Sequence, residues 1–579
     1  MKNIKSENGA ITILVLVSVL FMLSFLISSY VIIANKVQTQ KEIIAQTRKV
    51  YGNYDLDEIY NSYFSNGEVV PIYDTNQLFK LGTNVNSAIK QMENKIYKFS
   101  NTGKYILMED LEIDESELPE GWIAPELFFM RKNNKLGKID YNGHTIKVKY
   151  SNGEEIIYDG TPIMILNVAE GAIEIKNDTY KITTTNEDGT TTTTEDEYTG
   201  KYVITGTSDK NTVKILGTGN FDITLRNLNI DVSKIGYAVA FNGNYNIIAK
   251  GVNVKIKLEG ENTLIGGGSA PGLGFAGAIA NIDGEIDGST LTIEGDGILN
   301  VKGGDYAGGI GSGYGYWYAA NGAANNIIIN SGTIIARTGN NGDAIGPGLR
   351  NKANNIVING GNITAIGSNS NGIGGTGVII NGGIVTATGG EYGYGIKADG
   401  LTINGGIITA KANYRTRTGI GGSDKTEVTI NGGTVIAQAE PNYNQCPGIG
   451  VGGYTTDEAT EEQLATIKVV VNGGSILATG NVDIGYGVTK AYAKNSNGET
   501  IYLTKIKLNN IMSATKIEAI TTSDNIEYKT NDMYTGAEGD LYLYLPEGTR
   551  TINIETEGKT YSAQIVTSKD NEQIVNTLD

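Results

Sequence analysis

The sequence has one cysteine, Cys446, and one histidine, His144, in 579 residues. A disulfide framework, a Cys/His zinc site and an iron–sulfur cluster are therefore excluded within the chain. A serine–histidine–aspartate triad would have to use His144, whose setting "IDYNGHTIKVKY" reads as a strand with a turn. Cys446 reads as a small loop residue. Proline is scarce at 9 residues, which argues against a disordered linker. Positive charge is in the minority, 46 Lys and Arg against 63 Asp and Glu, a formal net charge of −17. That balance argues against nucleic acid as a partner, because phosphate recognition needs a basic stripe. Glycine, by contrast, is abundant at 78 residues, without the strict Gly-X-Y period of collagen. An apolar fraction of 40% leaves enough for a packed core.

There is one long apolar run, Ala10 to Ala34, with no charge in it. At about 1.5 Å per residue it crosses a hydrocarbon core of about 30 Å with some tilt. It exceeds the apolar region of a signal peptide, about 7–15 residues, and no A-x-A site follows it. A single-pass anchor helix is therefore expected within residues 1–50, with "NKVQTQKEIIAQTRKV" continuing beyond the bilayer. Lys2 and Lys5 precede the run, while Lys36, Lys41, Arg48 and Lys49 follow it. A plain positive-inside count would keep the large domain in the cytoplasm, but long domains are exported despite such charges. The expected placement is at the cell membrane, with the C-terminal bulk outside.

Internal repetition dominates the rest. A tetrad "I/V-N-G/S-G" places its asparagine at Asn330, Asn359, Asn381, Asn404, Asn431 and Asn472. Diverged copies precede it at "LEGEN", Leu258 to Asn262, and "IEGDG", Ile293 to Gly297. Before several tetrads comes "GIGSG", "AIGPG", "GIGG" or "GIGVGG". After them come "TIIART", "NITAIG", "IVTATG", "IITAKA", "TVIAQA" and "SILATG". Each unit thus holds three short apolar pieces separated by glycine turns. It is too short for a propeller blade and has no helical stretch for a leucine-rich or ankyrin repeat. It fits one coil of a parallel β-helix, with inward Ile, Val and Ala in ladders and glycine at the corners. The asparagines suit turns, and stacked at one corner they would form a hydrogen-bonded ladder.

The expected fold is all-β: a parallel β-helix over residues 105–490, with an N-terminal transmembrane helix and a C-terminal β-sandwich. Residues 51–104 read as a helical and mixed connector. "TTTNEDGTTTTTEDEYTG", Thr183 to Gly200, reads as a solvated hairpin, and "TTDEATEEQL" as a loop inserted in one coil. Beyond residue 490, "ETIYLTKIKLNN", "TKIEAITTS", "DLYLYLPEGT" and "RTINIETEGKTYSAQIV" alternate strictly, which predicts an antiparallel sandwich within residues 491–579.

Two resemblances carry these patterns further. The charged leader ending at Gly9 and the apolar run after it resemble the N-termini of pilin-like proteins, with Leu14 where prepilins usually carry Glu. The stretch "NLNIDVS…AVAFNG…VKIKLEGENTLIGG", then "LTIEGDGILNVKGG…GGIGSG" and the INGG repeats, about residues 200 to 490, resembles bacterial surface β-helix proteins known as carbohydrate-binding-domain proteins. That resemblance implies a fold similar to right-handed pectate-lyase-like β-helices and, for some members, polysaccharide binding.

Sugars pack flat C–H faces on aromatic rings while polar neighbours bond their hydroxyls. The loop "GYGYWYAANG" offers Tyr314, Tyr316, Trp317 and Tyr318, and nearby repeats carry Tyr392, Tyr394, Tyr414 and Tyr443. Arg415 and Arg417 would favour uronates there. The expected partner is a polysaccharide or cell-wall glycan, with no cofactor, metal or catalytic residue. A lyase or hydrolase on the same fold would draw on Asp305, Asp343, Asp399, Asp424 or Asp483, whose offsets do not stack in register. A plain surface rod is the third alternative. It includes an isopeptide bond from Lys505 or Lys507 to Asn553.

Overall fold

The computed structural model describes residues 69–82, 104–118, 138–149, 155–159, 163–186, 188–234, 239–241, 252–268, 270–275, 289–313, 324–350, 353–397, 399–413, 417–440, 446–452 and 457–579. The apolar run from Ala10 to Ala34 lies outside them. Among the described residues no helix is long and apolar enough to cross a membrane. The chain divides into two compact units, residues 1–160 and 161–579.

In the first unit, Val69–Ile72, Lys104–Leu107 and Lys138–Asp140 form a parallel sheet. The helix Thr75–Gly82 follows the first of these strands. A second sheet pairs Leu111–Asp114 with Ile146–Lys149 in parallel, and the latter with Glu155–Tyr158 antiparallel. Leu111, Ile113, Ile146 and Val148 are buried while alternate residues face out, the period-2 pattern of a half-buried strand.

The second unit is built from large parallel sheets, compatible with a β-helix. Each repeat strand pairs with its counterpart one repeat away, not with its neighbour in sequence. The first ladder holds the strands before the tetrad and runs in steps such as Ala324–Ile329 to Ala353–Ile358 and Asp399–Ile403 to Thr426–Ile430. The second holds those after it, as in Asn362–Ile366 to Ile384–Gly389 to Ile407–Ala412. The third passes through seven isoleucines, four of them in "GIG" elements: Ile310, Ile345, Ile373, Ile396, Ile420, Ile449 and Ile484. All seven are buried. Inward pairs such as Ile356 and Ile358, facing Ile363 and Ala365, complete one continuous core. Burying each such Ile is worth about 1.5–3 kcal/mol.

The corners explain the glycine. The second tetrad glycine is left-handed at every copy, from φ 100° at Gly332 to φ 86° at Gly474. In the third ladder the glycine after the isoleucine serves a different end. A Cβ on Gly311 would stand 1.7 Å from the Gly346 carbonyl oxygen, and one on Gly450 would stand 1.9 Å from that of Gly485. Successive backbones approach too closely there for any side chain.

The tetrad asparagines form the expected ladder. Asn359 Nδ2 donates to Asn330 Oδ1 at 2.8 Å, Asn381 to Asn359 at 2.7 Å and Asn404 to Asn381 at 2.7 Å. Asn431 then donates to Asn404 at 2.8 Å and Asn472 to Asn431 at 2.9 Å. The Thr-rich excursion is an exposed hairpin, Thr179–Thr185 against Thr191–Glu197. The 41-residue step carries a short helix, Glu461–Leu464, closed by a Thr460–Gln463 capping box.

The C-terminal residues form two three-stranded sheets around one core that includes Leu541, Leu543, Ile552, Ile554 and Tyr561. The pairing departs from the all-antiparallel expectation at the end of the chain, where Val575–Leu578 lies parallel to Ile501–Leu508. Tyr544 and Ile501 join the repeat core, so this sandwich closes its end. Tyr528 Oη donates to the Gly474 carbonyl at 2.8 Å, and Lys529, Asn531 and Asp532 pack against tetrad glycines. A Cβ on Gly473 would stand 2.1 Å from the Lys529 carbonyl oxygen. The isopeptide pairing is not formed here. Lys505 and Lys507 lie on one sheet, bonded to Gln573 and Glu538, while Asn553 lies on the other, bonded to Thr521 and Ser562.

Asn404→Ala removes two ladder bonds and is expected to destabilise the protein by about 2 kcal/mol, read by denaturant unfolding. Gly450→Ala is expected to cost more, above about 4 kcal/mol, because backbone must move.

Candidate carbohydrate-binding turns

The turns that lead into the third ladder carry the candidates that fall among the described residues. Of the nine aromatic and arginine candidates, Tyr392, Tyr394 and Arg417 are described. Tyr314, Tyr316, Trp317, Tyr318, Tyr414 and Arg415 lie outside the described residues, as does Tyr443. The three described residues come together. Tyr392 is 52% exposed, while Tyr394 is 4% exposed. Arg417, one repeat on, donates from Nε to the Tyr392 carbonyl at 2.9 Å and from Nη1 to the Tyr394 hydroxyl at 3.2 Å. Its guanidinium also lies 5.2 Å from the Tyr394 ring centroid. Burial pushes the Tyr394 phenol up to about 12, against the pull of Arg417. Tyr394 and Arg417 therefore act as a brace, and Tyr392 is the ring they present.

Glycine sets the angle of that turn. Cβ atoms on Gly390 and Gly393 would stand 1.5 and 1.8 Å from the carbonyl oxygens of Ser368 and Ser370 in the preceding repeat. The turn is clamped onto the one before it, and Tyr392 projects from between the two glycines.

Below it runs a column of polar side chains built on buried Asp343. Asp343 is 4% exposed. Its Oδ1 accepts from Ser370 Oγ, from Asn371 N at 3.1 Å and from Asn371 Nδ2 at 2.9 Å. Asn371 Oδ1 in turn accepts from Tyr394 N at 2.9 Å. Burial raises the Asp343 pKa, opposed by these donors and by Lys397. Its partners join one turn to the next, so the column reads as the support of the exposed turns.

The other aspartates are engaged separately. Asp399 pairs with Lys397 at 3.0 Å, and Asp424 accepts from Ser423 Oγ at 3.2 Å. Asp483 accepts from Tyr544 Oη at 3.2 Å and faces Lys490 at 3.3 Å. Asp305 is exposed. Among the described residues no group of three or more His, Cys, Asp or Glu side chains is placed to hold a metal ion. His144 lies in the other unit, with Nδ1 3.6 Å from Asp110 Oδ1. Cys446 is buried.

Sequence reading missed Tyr306. It precedes Ile310 by four residues, as Tyr392 precedes Ile396, and its side chain is 40% exposed. The shared offset was the available signal, obscured by a search for several rings in one loop.

Because Asp343 has a raised folded pKa, its carboxyl contributes most below the unfolded value, and that contribution is lost as pH rises through the folded value. Asp343→Asn is therefore expected to gain melting temperature relative to the unsubstituted protein as pH rises from 4 to 7, with the difference closing at the acid end. No family model, characterised protein or solved structure matches this chain.

Proposed function

We propose that this protein is a β-helix displayed at the cell surface on an N-terminal membrane helix, where it binds polysaccharide without transforming it. The observation that carries this reading is the Tyr392 turn, an exposed ring on a backbone held by the close approach of Gly390 and Gly393 to the preceding repeat and by Arg417 bonding the Tyr392 carbonyl. A turn whose backbone is held before its ligand arrives spares part of the ordering cost that weak sugar contacts seldom offset. Parallel ladders repeat the turn at a regular rise, which suits a polymer better than a compact ligand. The resemblance of residues 200 to 490 to bacterial surface carbohydrate-binding repeats points the same way. The apolar run from Ala10 to Ala34 supplies an anchor of sufficient length.

A surface rod without a ligand is the second reading, and the uninterrupted asparagine ladder favours it. The two are separated by passing the full-length chain over a panel of immobilised neutral, amino-sugar and uronate polysaccharides while assaying the same polymers for chain cleavage. Retention on at least one, with no reducing ends or unsaturated product released, is the expected outcome. Retention on none favours the rod, and product formation favours a lyase or hydrolase.

A further inference from the structure

Among the side chains that the structure describes, two aromatic ones are exposed, Tyr306 and Tyr392. They do not lie at random. Each stands four residues before the buried isoleucine of its third-ladder strand, Ile310 and Ile396. Those isoleucines are joined through Ile345 and Ile373, so the two turns are three repeats apart. At about 4.8 Å per step, the rings project from one edge with a rise of about 14 Å between their turns.

The intervening turns hold the same offset with amides, Asn341 and Asn369. The backbone ties them in sequence. Asn341 N donates to the Asp305 carbonyl at 2.7 Å, Asn369 N to that of Asn340 at 2.8 Å and Glu391 N to that of Ser368 at 3.0 Å. The edge therefore reads ring, amide, amide, ring, in a fixed line. Among the described residues, Asp305 and Glu391 each stand next in sequence to one ring, and Arg350 follows Leu349, whose N donates to the Tyr306 carbonyl at 2.9 Å. Arg417 already bonds the Tyr392 carbonyl and the Tyr394 hydroxyl.

We propose that Tyr306, Asn341, Asn369 and Tyr392 form one linear subsite for an extended uncharged polysaccharide. The rings stack on sugar faces at either end; between them the Asn341 amide and Oδ1 of Asn369, whose Nδ2 donates to Asn340 Oδ1, bond hydroxyls. The carboxylates of Asp305 and Glu391 set the selectivity: they accept bonds from hydroxyls and repel the carboxylates of a uronate polymer. This differs from the uronate preference expected from Arg415 and Arg417: Arg417 is committed to its own turn, and Arg415 lies outside the described residues. The inference rests on the polysaccharide-binding reading above and narrows it to one edge and one class of polymer.

The test compares the full-length protein with Tyr306→Ala, Tyr392→Ala and the double variant on neutral polysaccharides and polygalacturonate, by affinity electrophoresis. Thermal melts confirm folding, and the double Tyr→Phe variant separates ring stacking from the phenol hydroxyls. Each single alanine variant is expected to weaken binding to a neutral polymer by about tenfold, with Phe retaining it and polygalacturonate bound by none. Binding by the unsubstituted protein that survives the double alanine change overturns this subsite and leaves the broader reading intact. Preferential binding of polygalacturonate overturns the charge argument. A protein that binds no polysaccharide overturns both.

Discussion

The structure depends on backbone approaching backbone. In the third ladder, successive repeats come so close at Gly311, Gly346, Gly421 and Gly450 that a Cβ would overlap the next carbonyl oxygen. Only glycine permits that approach, and the approach keeps neighbouring strands in register. Register in turn fixes everything that stacks: the isoleucines inside, the asparagine ladder at the tetrad corner and the turns on the outside. Glycine costs conformational entropy in an isolated strand. Here hydrogen bonds on both edges of each strand and the buried aliphatic columns offset that cost.

The two kinds of corner divide the labour. The tetrad corner is inward in purpose. Its asparagines bond one another, and its glycines are covered toward the end of the stack by Lys529, Asn531 and Asp532 of the sandwich. The turns before the third ladder face outward. There the polar column through Asp343, Asn371 and Tyr394 holds the turns from below, while Tyr306 and Tyr392 emerge above it. A rigid stack makes a ruler of its own surface, because a ring placed at a given offset in any repeat falls on the same edge. In the binding role proposed for this edge, a weakly binding ring would in this way become part of a longer site.

Much of the fold was legible because it rests on short-range chemistry. The alternation in "IVTATG" and "IITAKA" marks inward Val385, Ala387, Ile408 and Ala410, all of them buried. The Ile-Asn-Gly-Gly spacing marked the asparagine ladder, since asparagine and a left-handed glycine define a turn by themselves. What stayed hidden was tertiary. The parallel pairing of Val575–Leu578 depends on a partner some seventy residues earlier, which no local alternation reports. The burial of Tyr394 was hidden too. In "GGEYGYGIK" two tyrosines are separated by one glycine, yet one is presented and the other braced, because Arg417 arrives from the next repeat. Tyr306 was missed for the opposite reason, since its loop looked unremarkable until the repeats were aligned on their isoleucines.

The central claim is the register of the stack, on which both core and turns depend, and disulfide trapping reads it directly. Ile328 and Val357 are paired on adjacent strands of the first ladder, and Ile379 follows Val357 one strand further on. The account requires Ile328→Cys with Val357→Cys to close a disulfide on mild oxidation, because paired parallel strands bring the two Cα atoms within the range of about 4.4–6.8 Å. It also requires Ile328→Cys with Ile379→Cys, two strands apart, to stay reduced. A disulfide in the second pair and none in the first would contradict the stack and the binding edge built on it.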